Sequence, residues 1–114
     1  MLFAIADDRM VWVLEKESEA RVEFEVVDVE NGVYAFYAED GCWLKPRLVC
    51  SKKRTLFGMV EQTEFELERA DELDPGVDPF QIAIGEARGV EPNPYFKTVT
   101  EIRAYVEKRQ GTEP

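Results

Sequence analysis

The sequence predicts an α+β fold: an antiparallel β-meander of about five or six strands, followed by two C-terminal helices packed on one face of the sheet. Three observations carry that reading. Apolar residues alternate with polar ones along several stretches of residues 1–70. Two glycine pairs, Asn31-Gly32 and Asp40-Gly41, stand between such stretches as hairpin turns. From Asp78 onward the apolar spacing becomes helical, with a capping residue ahead of each stripe. A chain of 114 residues suits one domain, residues 1–114, mainly strands over 1–70, with helices over 78–89 and 98–110.

Leu2–Ala6 and Met10–Leu14 are apolar runs separated by Asp7-Asp8-Arg9. The second is β-branched and aromatic, as a strand buried on both faces should be. Glu15–Ala20 is polar and reads as a connection, with a short helix as the alternative. Arg21, Glu23 and Glu25 then alternate with Val22, Phe24 and Val26, a strand pattern that slips at Val27. A two-residue turn at Asn31-Gly32 would set Val29 against Tyr34 and Val27 against Phe36. A like turn at Asp40-Gly41 would set Ala38 against Trp43 and Tyr37 against Leu44. Pro46 has no N–H to give, so pairing should break there. Lys52-Lys53-Arg54 reads as the next loop, and residues 55–62 fit no single element. From Thr63, Glu64, Glu66 and Glu68 interleave with Phe65 and Leu67, which predicts an edge strand with its carboxylates in water.

Asp71–Gly76 is turn-rich. Asp78 and Gln81 form a capping box around Pro79, flanked by a Val77–Ile82 staple, and Gly89 is a natural stop. Phe80, Ala83, Ile84 and Ala87 make the first helical stripe. Pro92-Asn93-Pro94 keeps the chain extended, with Tyr95 and Phe96 expected to plug the end of the core between the two helices, the alternative being that they anchor a partner. Thr98 and Glu101 form a second capping box, ahead of a stripe of Val99, Ile102, Tyr105 and Val106.

Twenty-four acids against fourteen bases give a net charge of −10. Residues 31–60, with two acids and five bases, are the one basic stretch. Such a surface repels phosphate backbones and anionic lipids, so nucleic acid and membrane are not expected partners. Met1–Ala6 lacks a basic flank and runs into Asp7-Asp8, which makes a poor signal peptide. A cytoplasmic location is expected, with Cys42 and Cys50 as buried free thiols.

The chain has no histidine. That excludes serine–histidine triads and removes the commonest metal ligand and general base. No glycine-rich phosphate loop occurs. An enzyme is therefore the least expected class, and no catalytic residue, metal or cofactor is assigned. A calcium site at Asp71, Glu72, Asp74 and Asp78 lacks the spacing of an EF-hand.

The leading expectation is a non-catalytic acidic domain for protein interaction or regulation, an inhibitor or immunity protein being one version. Its face would be Glu64, Glu66 and Glu68 with Glu23 and Glu25, and its partner a basic protein or a second copy of the chain. The alternative is a small-molecule module with a pocket of Tyr34, Phe36, Tyr37 and Trp43 on a curled sheet. Lys52, Lys53 and Arg54 form a candidate anion site, weighed against a solvated loop.

Overall fold

The strand of lowest exposure sits in the middle of the sheet. The computed structural model describes residues 1–56, 58–70 and 78–110, with the backbone alone for 51–55 and 59–62. β1 (Leu2–Ala6) alternates its side chains between two apolar layers. Leu2 and Ala4 point one way, Phe3 and Ile5 the other. β1 pairs antiparallel with β2 (Met10–Leu14) through a tight reversal in which Arg9 takes a positive φ of 69°. The Arg9 N–H donates to the Ala6 carbonyl at 2.9 Å, and the Asp8 carboxylate accepts from the Met10 N–H at 3.0 Å.

The next segment corrects the sequence expectation. Residues 17–30 hold no strand but two short helices, α1 (Glu17–Glu23) and α2 (Val26–Glu30), joined at extended Phe24 and Glu25. The buried positions, Ala20 and Phe24, are four apart, and Val29 follows five later. Val22, in phase with Phe24 for a strand, is 86% exposed. Glutamate, alanine and arginine favour a helix, and Glu17 and Glu19 suit the positive end of its dipole. The Asn31-Gly32 pair therefore closes no hairpin. Gly32, with φ of 72°, follows the α2 C-cap: its N–H reaches the Val29 carbonyl, and the Val33 N–H reaches that of Asp28. These two bonds form a Schellman motif, which needs the same left-handed residue as a turn.

β3 (Tyr34–Ala38) lies antiparallel against the other side of β1. β4 (Trp43–Thr55) follows through a three-residue loop, not the expected two-residue turn. The Ala38 N–H donates to the Cys42 carbonyl at 2.8 Å, and Gly41 takes φ of 83°. The register is Tyr37 with Trp43 and Phe36 with Leu44, one residue from the expectation. That slip decides which layer Trp43 and Leu44 join, because strand side chains alternate. β3–β4 pairing ends at Leu44, short of Pro46, whereas the ladder from β4 to β5 (Gly58–Arg69) runs through Pro46 opposite Leu67. Lys52, Lys53 and Arg54 are thus strand residues in register with Glu61, Val60 and Met59, a correction to the loop reading.

β5 leads through residues 71–77, outside the described residues, to α3 (Pro79–Glu86), β6 (Gly89–Val90) and α4 (Val99–Gln110). The Asp78 carboxylate caps α3 by accepting from the N–H groups of Phe80 and Gln81 at 3.1 and 3.3 Å. Val77 of the expected staple lies outside the described residues, and Ile82 is 59% exposed. Gly89 does not stop the helix, which ends at Glu86; it opens β6, parallel to β2. The sheet order β5-β4-β3-β1-β2-β6 is thus mixed, not wholly antiparallel.

Helices also cover both faces of the sheet, not one. α3 and α4 place Phe80, Ile84, Ile102 and Val106 on Phe3, Ile5, Val11 and Tyr37. Of the two aromatics expected to plug the core, Tyr95 is 44% exposed, whereas Phe96 joins this layer, its ring 6.0 Å from Phe3 and 5.2 Å from Tyr105. Asn93 positions it: the side-chain amide donates to the Glu91 and Phe96 carbonyls, and its oxygen accepts from the Tyr95 and Phe96 N–H groups, all at 2.8–2.9 Å. On the other face, α1 and α2 place Ala20, Phe24 and Val29 on Leu2, Ala4, Leu14, Phe36 and Phe65. No helix among the described residues is long and apolar enough to cross a membrane.

Candidate functional site

The α1–α2 layer carries a dense negative charge. Residues 15–30 hold seven acids and two bases. Neither helix has a side-chain cap. The layer is held by Phe24, whose ring lies 4.1 Å from Tyr34 and meets Trp12 and Phe36 nearly edge-on at 5.6 and 5.8 Å. A second tie is longer in range. The Glu17 carboxylate accepts the Leu67 N–H at 2.6 Å, joining the start of α1 to β5.

Two grooves flank α1, and Val22 lines both. The first, of about 500 Å³, lies between α1 and β2 and is lined by Trp12, Leu14, Glu19, Glu23 and Pro92 among others. The second, of about 380 Å³, lies between the helices and β5 and is lined by Phe24, Glu25, Val26, Glu64 and Phe65, with Arg21 its one cation among the described residues. Val27, in the same layer, is 53% exposed. Apolar surface in an acidic rim is the composition of a protein-contact patch.

The five glutamates of the expected face do not form one uniform surface. Glu23 ends α1 and Glu25 caps the backbone of α2, each exposed on a different groove. Glu64, Glu66 and Glu68 are exposed along β5. Glu66 and Glu68 share Arg47 of β4, at 3.0 and 2.8 Å. Hydrogen bonding to Glu66 and the charges of both acids raise the guanidinium further above its ordinary value. These pairs are exposed and worth little to stability. Their consequence is electrostatic: Arg47 offsets one of the two negative charges of Glu66 and Glu68, and Glu64, beside the second groove, has no ion-pair partner among the described residues. The sequence carries the signal in the Lys45-x-Arg47 spacing, which matches Glu66-x-Glu68 once the strands are in register.

The four residues of the expected aromatic pocket are also separated. Tyr34 and Phe36 belong to the α1–α2 layer, Tyr37 and Trp43 to the α3–α4 layer. Phe36 and Tyr37 are 0% and 4% exposed, filled against by Phe24, Phe65 and Phe80. Burial, and the nearby charge of Asp78, push the Tyr37 phenol above its usual value. One strand cannot aim consecutive residues at one cavity, so these four line no common pocket.

The described residues include no buried polar or charged group, and no cluster of three or more acids and thiols placed to hold a metal. Cys42 is half-buried, and Cys50 is exposed opposite Thr63, which corrects the expectation of two buried thiols. Lys52, Lys53 and Arg54 lie near the far end of the β4–β5 hairpin, remote in register from Arg47.

At the opposite end, the β3–β4 loop is tied down. The Glu39 carboxylate accepts from the Tyr105 hydroxyl at 3.0 Å, and the Gln110 amide donates to the Asp40 carbonyl at 2.9 Å. Partial burial would raise the Asp40 carboxyl. The Cys42 N–H and the Arg69 guanidinium outweigh it and hold the carboxyl below its ordinary value. This cluster ties elements together and leaves no open coordination. Comparison with family models, curated proteins and solved structures returns no significant match, so the site is read from its own residues.

Proposed function

We propose that the protein is a non-catalytic interaction domain that binds a basic protein partner through the α1–α2 layer and the adjoining edge of β5. The observation that carries this reading is Val22. It stands 86% exposed on an acidic helix, between two grooves of mixed apolar and polar lining whose rims hold Glu19, Glu23, Glu25 and Glu64. Exposing it serves no purpose in the fold, since Ala20 and Phe24 already seat the helix. Contact with a partner would remove that apolar surface from water, at about 25 cal/mol per Å² before the costs of association. The glutamates would speed encounter and select positive partners.

The test is affinity capture from the native cell extract, with the wild type and a Val22→Ser/Glu23→Lys double variant. A basic protein should be retained at low salt, released as salt rises toward a Debye length of a few ångströms, and lost with the variant. A retained protein that is acidic, insensitive to salt, or held equally by the variant sinks the reading.

A further inference from the structure

β5 ends the sheet, and its ladder fixes which of its backbone groups point away from β4. The Ala70 N–H donates to the Trp43 carbonyl at 3.0 Å. In an antiparallel pair the bonded positions alternate, so Glu68, Glu66 and Glu64 bond inward to β4. Leu67, Phe65 and Thr63 then turn their N–H and C=O groups outward. Leu67 bears this out, since its N–H is taken by Glu17 at 2.6 Å. No side chain among the described residues takes the outward amides of Phe65 and Thr63, and both residues line the second groove beside Val22 and Val26.

Resting on the interaction reading above, we propose that an extended segment of the basic partner adds to the outer edge of β5 at Thr63–Phe65, as a further strand of the sheet. Main-chain bonds to the outward groups would supply affinity, and alternate side chains specificity. The chemistry of the segment follows from the two sides of β5. On the side of Phe65 its side chains meet the Val22–Val26 groove and should be small and apolar. On the other side they meet Glu64 and Glu66 and should be lysine or arginine. Glu17 on Leu67 closes the edge at one end and sets how far the strand can extend. The row of glutamates argues against a second copy of the chain. Two β5 strands paired antiparallel about Phe65 would set Glu64 of each against Glu66 of the other, a repulsive contact made twice.

An alternating lysine–valine peptide is the probe, compared with a peptide of the same composition whose lysines and valines stand in separate blocks. The alternating peptide should bind at least about tenfold more tightly and slow hydrogen exchange at the Phe65 amide by a like factor. Thr63→Pro removes an outward N–H that β4 does not use, so it should cost about tenfold in affinity with the circular dichroism unchanged. Thr63→Val, which keeps the N–H, should bind as the wild type does. If Thr63→Pro disturbs the fold, exchange at Phe65 in the wild type decides. Equal binding of the two peptides with no protection of Phe65, yet sensitive to Glu64→Lys, overturns strand addition and leaves the acidic contact face standing. Binding of neither peptide overturns strand addition outright, and the capture experiment then judges the wider reading separately.

Discussion

Among the described residues each face of the sheet is closed by two helices, in different ways. α3 and α4 arrive with strong local instructions. Asp78 caps one, Thr98 accepts the Glu101 N–H at 3.2 Å to cap the other, and Asn93 shapes the loop between them with four hydrogen bonds. Phe80 of the α3 stripe meets the rings of Phe3 and Tyr37 on the sheet, and Phe96 extends that aromatic surface from the loop. α1 and α2 are shorter, lack side-chain caps, and leave Val22 and Val27 in water. Short helices draw their stability from packing and not from propensity. The α1–α2 layer is accordingly seated by Ala20, Phe24 and Val29 against the sheet and by the Glu17 bond to β5, while Val22 and Val27 stay on its outer side. By its caps the α3–α4 face is the more finished, although Ile82 of α3 is 59% exposed; the α1–α2 face is the more open, with uncapped helices and Val22 at 86%.

The most severe way to break this comparison is Phe24→Ala. The ring is 4% exposed and joins Trp12, Tyr34 and Phe36. Its loss should cost about 3–5 kcal/mol in urea unfolding, as for a buried phenylalanine elsewhere. A cost below about 1 kcal/mol would mean that α1 and α2 are not a core layer at all. Gly41→Ala comes next, on the finished face. The added Cβ would lie 2.6 Å from the Gln110 side-chain nitrogen and 3.2 Å from Val106 Cγ1, at a φ of 83°. A displaced Gln110 amide would also lose the Asp40 carbonyl. About 1–3 kcal/mol is expected. The counterpart on the open face, Gly32→Ala, meets nothing within 4 Å and should cost only the left-handed backbone, about 1 kcal/mol. Equal losses at the two glycines would erase the distinction between a tied loop and a free one.

The same contrast governs what could be read from the sequence. The second half of the fold was legible because its signals are local: a cap lies two or three residues from what it caps. The α1–α2 segment misled because two local signals were degenerate. Val22, Phe24 and Val26 fit a strand by period, yet only Phe24 is buried and Val22 is cast out. Asn31-Gly32 supplies a left-handed residue that a hairpin and a helix end use equally well. At Asp40-Gly41 the hairpin was legible but its register was not, since loops of two and three residues share the same glycine. The glutamates of the contact face were readable as exposed. The pairing of Glu66 and Glu68 with Arg47 needed the strand register, and the bond from Glu17 to Leu67 spans 50 positions, beyond any local pattern.

Asp78→Ala gives a smaller effect, about 1 kcal/mol, from loss of the α3 cap. The pH dependence is smaller again and has a definite sign. The Asp40 carboxyl lies below its ordinary value of 3.8 in the folded chain. It therefore contributes stability above about pH 4, and that contribution fades as pH falls through the lowered value. Arg69→Met should remove part of it, so the urea midpoints of variant and wild type should converge in acid. A gap that persists or widens in acid would show that the Asp40–Arg69 pair is not its source.

Val22→Ser should have the least effect on stability and is the sharpest test of the difference between the faces. At 86% exposure the side chain has almost no apolar contact to lose, so unfolding should shift by no more than about 0.5 kcal/mol. Buried Val106 on the other face, truncated to Ala, should lose several times as much, because it leaves a cavity against Phe80 and Gly41. If Val22→Ser destabilises as much as Val106→Ala, the valine is supporting its own fold, and the reason for reading the α1–α2 layer as a contact surface disappears. If stability is untouched while capture of the basic partner is lost, the cost of leaving a valine in water is accounted for by what it touches outside this chain.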